Sequence, residues 1–274
     1  LAKWKRFTNR ASARVGVIGV IVFLVVAGFA PLLAPYGYRV QNLNEVLQPP
    51  SRSHLLGTDE FGRDVLSRII YGARISLAVG AIAVGIGMTV GTILGAVAGY
   101  WGGWVSLVIM GLVDVVWSFP TILLAIGFVA VLRPGLTSAM IALGLVTWPS
   151  YARMMRAQVL SLREKEFVEA AKAQGLTDWW ILIRHIAPNA ISPIIVLATL
   201  GMAGAILVES SLSYLGLGAQ PPAPSWGAML SSGRNFIYQA PWLTVAPGLA
   251  IMFVVLAFNL CGDALRDALD PRKT

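Results

Sequence analysis

Apolar residues in this chain fall in long, nearly unbroken stretches separated by shorter polar ones. A helix that crosses a bilayer needs about 20 mostly apolar residues. Six stretches reach or approach that length: 15–34, 76–100, 104–132, 136–151, 190–209 and 242–261. The pattern predicts an all-α integral membrane protein with about six transmembrane helices. Pro120 sits inside the third stretch. It has no amide hydrogen and its ring crowds the preceding turn, so a kink or break is expected near Phe119. The fourth stretch is short, and its helix is expected to run on into water.

The second stretch carries Gly87, Gly91, Gly95 and Gly99 at a spacing of four. Such a stripe lies on one helix face and lets another backbone approach closely. Packing within the chain and a seam with a second subunit both fit it. Two less apolar segments, 36–75 and 210–241, are expected outside the cell membrane. The second of these is rich in Pro, Gly and Trp, and Pro221, Pro222, Pro224 and Trp226 suggest a stiff re-entrant turn or cap. A division follows: 1–75 as an N-terminal anchor with an extracytoplasmic segment, and 76–274 as the transmembrane core.

One stretch breaks the apolar pattern near the middle of the chain: EFVEAAKAQGLTDWWILIRHIAPN, residues 166–189. Ser161-Leu-Arg-Glu164 reads as a capping box, so a helix is expected to begin near Ser161. Leu160, Phe167, Ala171 and Gln174 lie near one face with Val168 beside them, and Ala170 and Ala171 are small enough for close approach of a partner. Gly175 can adopt the left-handed conformation that ends a helix. Thr177 can then cap a second short helix through Trp179, Trp180, Ile181 and Ile183, which Pro188 should stop. The expected unit is helix, glycine turn, helix, hung between two spans. Docking to a partner and anchoring at headgroup depth fit it equally.

Composition removes the soluble alternative. The chain of 274 residues is 57% hydrophobic and 12% charged, with a mean hydropathy of +0.72. An average soluble domain is about 25% charged. The net charge of +8 is set by basic residues flanking the apolar stretches, which points to topology and not to nucleic acid. With the N-terminus inside, fourteen Lys and Arg fall on the cytoplasmic side, Lys3, Lys5, Arg6, Arg10, Arg272 and Lys273 among them, and seven fall outside. Both termini and the charged stretch are then cytoplasmic. The basic start and first apolar run resemble a signal peptide, but the run is long and lacks a clear cleavage site, so a retained anchor is expected. Cys261 is a single cysteine in an apolar run, and with only His54 and His185 no internal His/Cys metal cluster can form. Asp114 and Glu209 fall within or at the end of spans and need partners. A helix–helix hydrogen bond suits the first and an interfacial position the second, with a translocation path or proton relay as the functional reading.

Glu169-Ala170-Ala171, then Gly175, then Pro188 thirteen positions on, resembles the EAA loop of bacterial ABC importer permeases. Arg184-His185-Ile186 resembles the peptide-permease branch, and Ala187 departs from its usual leucine. LGTDEFGRDVLSRIIYGARISLAVG (56–80), LSYLGLGAQPPAPSWGAML (212–230) and FNLCGDALRDALDPR (258–272) are similar to the dipeptide/oligopeptide/nickel permease group, the C-type subunit. The resemblance covers nearly the whole chain. It implies that the EAA loop is a coupling helix on a cytoplasmic ATPase, with Phe167, Glu169, Ala170, Ala171, Gly175, Leu176 and Pro188 as the coupling residues. It implies a second related permease subunit, two ATPases and an extracytoplasmic solute-binding protein as partners. ATP and Mg would be held by the ATPases. The chain has no Gly-x-x-x-x-Gly-Lys-[Ser/Thr] phosphate loop, so it is expected to bind no cofactor and to be a transport subunit, not an enzyme. The competing reading is an ion-driven secondary transporter, which calls for paired intramembrane acids and broken helices at the midplane. A scaffold without transport of its own would leave the docking loop without a purpose.

Overall fold

The computed structural model describes residues 11–269 and is built of helices. The basic residues of the two ends, Lys3, Lys5, Arg6, Arg10, Arg272 and Lys273, lie outside the described residues. In chain order the helices are α1 (Ala11–Gly28), α2 (Ala30–Leu33), α3 (Val65–Trp101), α4 (Gly103–Trp117), α5 (Thr121–Leu132), α6 (Leu136–Leu162), α7 (Glu166–Ala173), α8 (Asp178–Trp180), α9 (Ala187–Tyr214), α10 (Trp226–Gly233) and α11 (Trp242–Leu269). A π-helical turn, Ile181–Ile186, joins α8 to α9 without a break, so residues 178–214 form one 37-residue rod.

The direction of each helix can be read from what its glycines touch. Gly87, Gly91, Gly95 and Gly99 of α3 abut Thr147, Trp148, Ala152 and Val159 of α6 in turn, so α3 and α6 run parallel. Gly80 of α3 abuts Met202 and Ile206, while Gly201 abuts Val84 and Tyr151, so α9 runs antiparallel to both. Gly16 meets Leu260 and Gly19 meets Ala257, which sets α1 antiparallel to α11.

The third apolar stretch breaks where the proline predicts. α4 ends at Trp117, α5 starts at Thr121, and the two are bent by 93°. The bent pair still carries the chain the length of the bundle. At its start, Arg156 Nε near the end of α6 donates to Ser106 Oγ at 2.8 Å. Beyond its end, the Gly135 amide donates to the carbonyl of Leu217, after α9. Four helical rods are long and apolar enough to cross a membrane, and the bent pair makes a fifth if counted as one span. α6 is also long enough, 27 residues or about 40 Å. It is less continuously apolar because it packs inside the bundle, with Ala139, Ala142, Ala152, Met155 and Val159 fully buried.

One end of the bundle thus gathers the start of α1, the ends of α3, α6 and α11, and the α7–α8 loop. The other end holds α2, residues 34–64, α10 and the loops beside it. There the DEFGRD stretch folds as a knot of charge. Asp64 caps α3, accepting from the Ser67 amide at 2.7 Å, and its other oxygen takes His54 Nδ1 at 2.9 Å. Asp59 accepts from the Phe61 and Arg63 amides and pairs with Arg63 Nε at 2.6 Å. α3 therefore starts at Val65, eleven residues before the expected span, and a division at residue 75 falls within a continuous helix.

Candidate coupling site

α7 is an eight-residue helix lying between the ends of α6 and α8. Val168 and Ala171 are buried against the main core, while Glu166, Glu169, Ala170, Ala173 and Gln174 face out, with Phe167 40% exposed. Its charges follow the helix dipole: Glu166 and Glu169 lie in the first turn and Lys172 in the last. The C-terminus closes as a Schellman motif. The Gly175 amide donates to the Lys172 carbonyl at 2.9 Å and the Leu176 amide to the Ala171 carbonyl at 3.3 Å. Gly175 has φ +78°, and Leu176 returns to the same core as Ala171.

Three local expectations are corrected. Ser161 does not open a helix. It lies in the last turn of α6, which runs to Leu162, and the loop helix begins at Glu166 after an extended Lys165 with no side-chain cap. The packing of Met155, Val159 and Leu162 on the main core carries α6 past the capping pattern. Phe167 and Gln174 do not share a buried face with Ala171. The inward pair is Val168 and Ala171, so Ala171 seats the helix on its own chain, and the small outward residues are Ala170 and Ala173. Pro188 does not stop a helix. It lies in the first turn of α9, and the strain is taken up one turn earlier. Having no amide hydrogen, Pro188 leaves the Arg184 carbonyl unpaired by the α pattern, and the backbone widens to a π turn in which Ala187 N donates to Leu182 O. Asn189 Nδ2 donates to the His185 carbonyl at 2.7 Å.

A strut that sequence reasoning missed holds the loop to the bundle. Tyr100 Oη donates to Asp178 Oδ1 at 2.7 Å, and Trp101 packs on Trp179 with ring centroids 4.6 Å apart. Arg163 at the end of α6 donates to the Gly99 and Tyr100 carbonyls. The aromatic pair at the end of the second stretch was the available signal. The loop is therefore tied at both sides: α7 packs on the π turn that continues into α9, and residues 178–179 are fastened to the end of α3.

The other singled-out residues lie apart from this loop. The Gly87–Gly99 stripe faces α6 of the same chain. Asp114 accepts from Arg153 at 2.6 Å, a bond between α4 and α6. Glu209 is fully buried near the end of α9, where the turn after the helix folds back over it: Ser213 Oγ donates to Glu209 Oε1 at 2.6 Å and accepts from the Ala219 amide. The Pro-rich turn is a packed cap, with Trp226 2% exposed and its indole donating to the Ile69 carbonyl.

An apolar helical bundle with an exposed helix slung between two rods fits a membrane component driven by another protein, and relatives decide which. The family described as binding-protein-dependent transport system inner membrane component matches residues 91–274. The chain belongs to that family. The N-terminal transmembrane domain of oligopeptide transport permease C matches residues 2–50. The chain is 50% identical to the dipeptide transport system permease DppC of Alkalihalophilus pseudofirmus, over 98% of this chain and 88% of that protein. It is 44% identical to the glutathione transport system permease GsiD of Pectobacterium atrosepticum, over 98% of this chain and 90% of that one. A solved structure of the MetNI methionine ABC transporter shares the fold at a TM-score of 0.62 and 19% identity, covering 74% of this chain and 97% of that one.

This protein is thus a membrane-spanning permease of a binding-protein-dependent ABC importer of the dipeptide/oligopeptide family. Importers of this kind combine permeases with ATPases and a binding protein. The ion-driven alternative finds no support in these relatives.

Proposed function

We propose that this permease forms half of the translocation pathway for short peptides, paired with a second related permease, two cytoplasmic ATPases and an extracytoplasmic solute-binding protein. The relatives' names, dipeptide and glutathione permeases, share a short peptide as cargo and support that substrate class. ATP and Mg are bound by the ATPases, and this chain contributes no phosphate site. α7 carries the reading: a short helix with its outward face free and its inward pair, Val168 and Ala171, packed on the core beside the π turn can pass a push from a partner into the membrane. Phe167, Glu169 and Ala170 meet the ATPase groove. Ala171, Gly175 and Leu176 hold the helix in its seat, and Pro188, beside the π turn, leads the motion into α9. The α7 end is cytoplasmic, with both termini, and residues 34–64 and 215–241 face the binding protein.

Purification of the chain from its host in mild detergent, with mass spectrometry of what accompanies it, tests the assembly. A second permease and two ATPases are expected. A chain that comes out alone and moves peptides in liposomes without ATP overturns it.

A further inference from the structure

Beside α4, α5, α6 and α9 an apolar cleft adjoins an exposed ion pair. An open cleft of about 190 Å³ lies between α3, α5, α6 and α9, lined mostly by apolar residues such as Val84, Leu143, Leu197 and Val208, with Thr121 and Ser150 among them. One turn along α6 from Ser150, on the same side, comes Arg153. One turn before Thr121, across the break between α4 and α5, comes Trp117. Arg153 lies over the Trp117 ring at 4.0 Å and donates to Asp114 at 2.6 Å. The two charged side chains are nevertheless open to the outside of the chain, 46% for Arg153 and 67% for Asp114.

Their depth matters. Asp114 is eleven residues along α4 from Gly103, roughly 16 Å, and Arg153 is nine residues before the end of α6, about 14 Å. The hydrocarbon layer is about 30 Å thick. Arg153 is folded onto Trp117 and not stretched toward the headgroups, so an exposed pair held this way within the layer must face protein or water. The cleft beside it is mostly apolar, with the Thr121 and Ser150 hydroxyls and the bare backbone at Gly201 and Gly204 in its wall.

We propose that this face lines the solute pathway, closed on its open side by the second permease, and that Asp114 and Arg153 form a charge-matching station for a zwitterionic peptide. The Asp114 carboxylate takes the peptide's ammonium end and the Arg153 guanidinium its carboxylate end. Neither charge then crosses the apolar section unpaired, and without solute the two side chains neutralise each other. The bent α4–α5 pair has a role here, since its break places Trp117 and Thr121 on either side of the step from cleft to ion pair. This inference rests on the peptide reading above.

The test uses the whole transporter, with permeases, ATPases and binding protein, in proteoliposomes. Ser150→Cys in a Cys261→Ser background is exposed to a charged methanethiosulfonate during ATP turnover, and the mass of this chain is read. Labelling that a transported dipeptide slows is expected. A mass that stays unchanged, while Tyr238→Cys in the same background is modified, overturns the lining. Asp114→Asn and Arg153→Gln are each expected to lower dipeptide uptake at least tenfold while peptide-stimulated ATP hydrolysis continues. The charge swap, Asp114→Arg with Arg153→Asp, keeps an ion pair and is expected to recover more than half of the uptake. Normal uptake in the single variants, or a swap no better than they are, overturns the station. A wild-type transporter that moves no peptide removes the proposed substrate instead, and the labelling alone then decides whether this face is wet.

Discussion

At the scale of single residues, Gly175 separates backbone conformation from packing. Its φ of +78° closes the Schellman motif, and a Cβ added there would meet nothing within 4 Å. Any penalty for substitution is therefore conformational, about 1–2 kcal/mol for an ordinary L residue and least for Asn. Gly175→Val is expected to leave the permease in the membrane but cut uptake per ATP hydrolysed severalfold, while Gly175→Asn stays near wild type. Parallel measurements of uptake and hydrolysis check this, and equal coupling ratios would remove Gly175 from the mechanism. This residue was legible in the sequence because a glycine after an amphipathic run has one common use. Ser161 was not, because the same four letters that make a capping box also fit the last turn of a longer helix, and only the burial of Val159 and Met155 beside it decides between them.

At the scale of elements, the glycine stripe was legible in its spacing and silent about its partner. Four-residue periodicity says that one face is bare. It does not say which helix fills it, and here α6 does. A methyl at Gly95 would collide with the Ala152 backbone, whereas Gly85 on the same helix has open space. Gly95→Ala is expected to destabilise the permease by about 1–3 kcal/mol as overpacking, seen as a lower melting temperature of the purified complex. Gly85→Ala should be neutral or stabilising, since alanine gains up to about 1 kcal/mol over glycine inside a helix. Equal effects at the two sites would count against the seam. The strut at the end of α3 makes a separate prediction. Tyr100→Phe loses the 2.7 Å bond to Asp178, worth about 1 kcal/mol, and should speed hydrogen exchange across residues 166–180 without moving α6.

At the scale of the whole molecule, six apolar stretches became six passages along the bundle, though they differ in kind. α1, α3, the α8–α9 rod and α11 are plain apolar rods, the α4–α5 pair is bent by 93°, and α6 is enclosed by its neighbours. Sequence alone could not sort these, because hydropathy measures what a helix tolerates and not what surrounds it. The α8–α9 rod places α7 and the 234–241 loop at opposite ends, the passages before it decide which end is outside, and this can be measured. Lys172 is exposed on α7, and Tyr238 is 99% exposed in the loop before α11. In a Cys261→Ser background, Tyr238→Cys in intact cells freed of any outer barrier should react with a membrane-impermeant maleimide. Lys172→Cys should react only after the membrane is opened. If the two react the other way round, Lys172→Cys from outside and Tyr238→Cys only after opening, one passage before α7 is missing, and the bent pair is the passage to remove. It would then be a re-entrant hairpin, α6 would have to cross the other way, and its parallel seam with α3 could not form. The seam depends on glycines whose neighbours rise in step along both helices, so labelling of Tyr238→Cys and not Lys172→Cys from outside and the Gly95 result should stand or fall together.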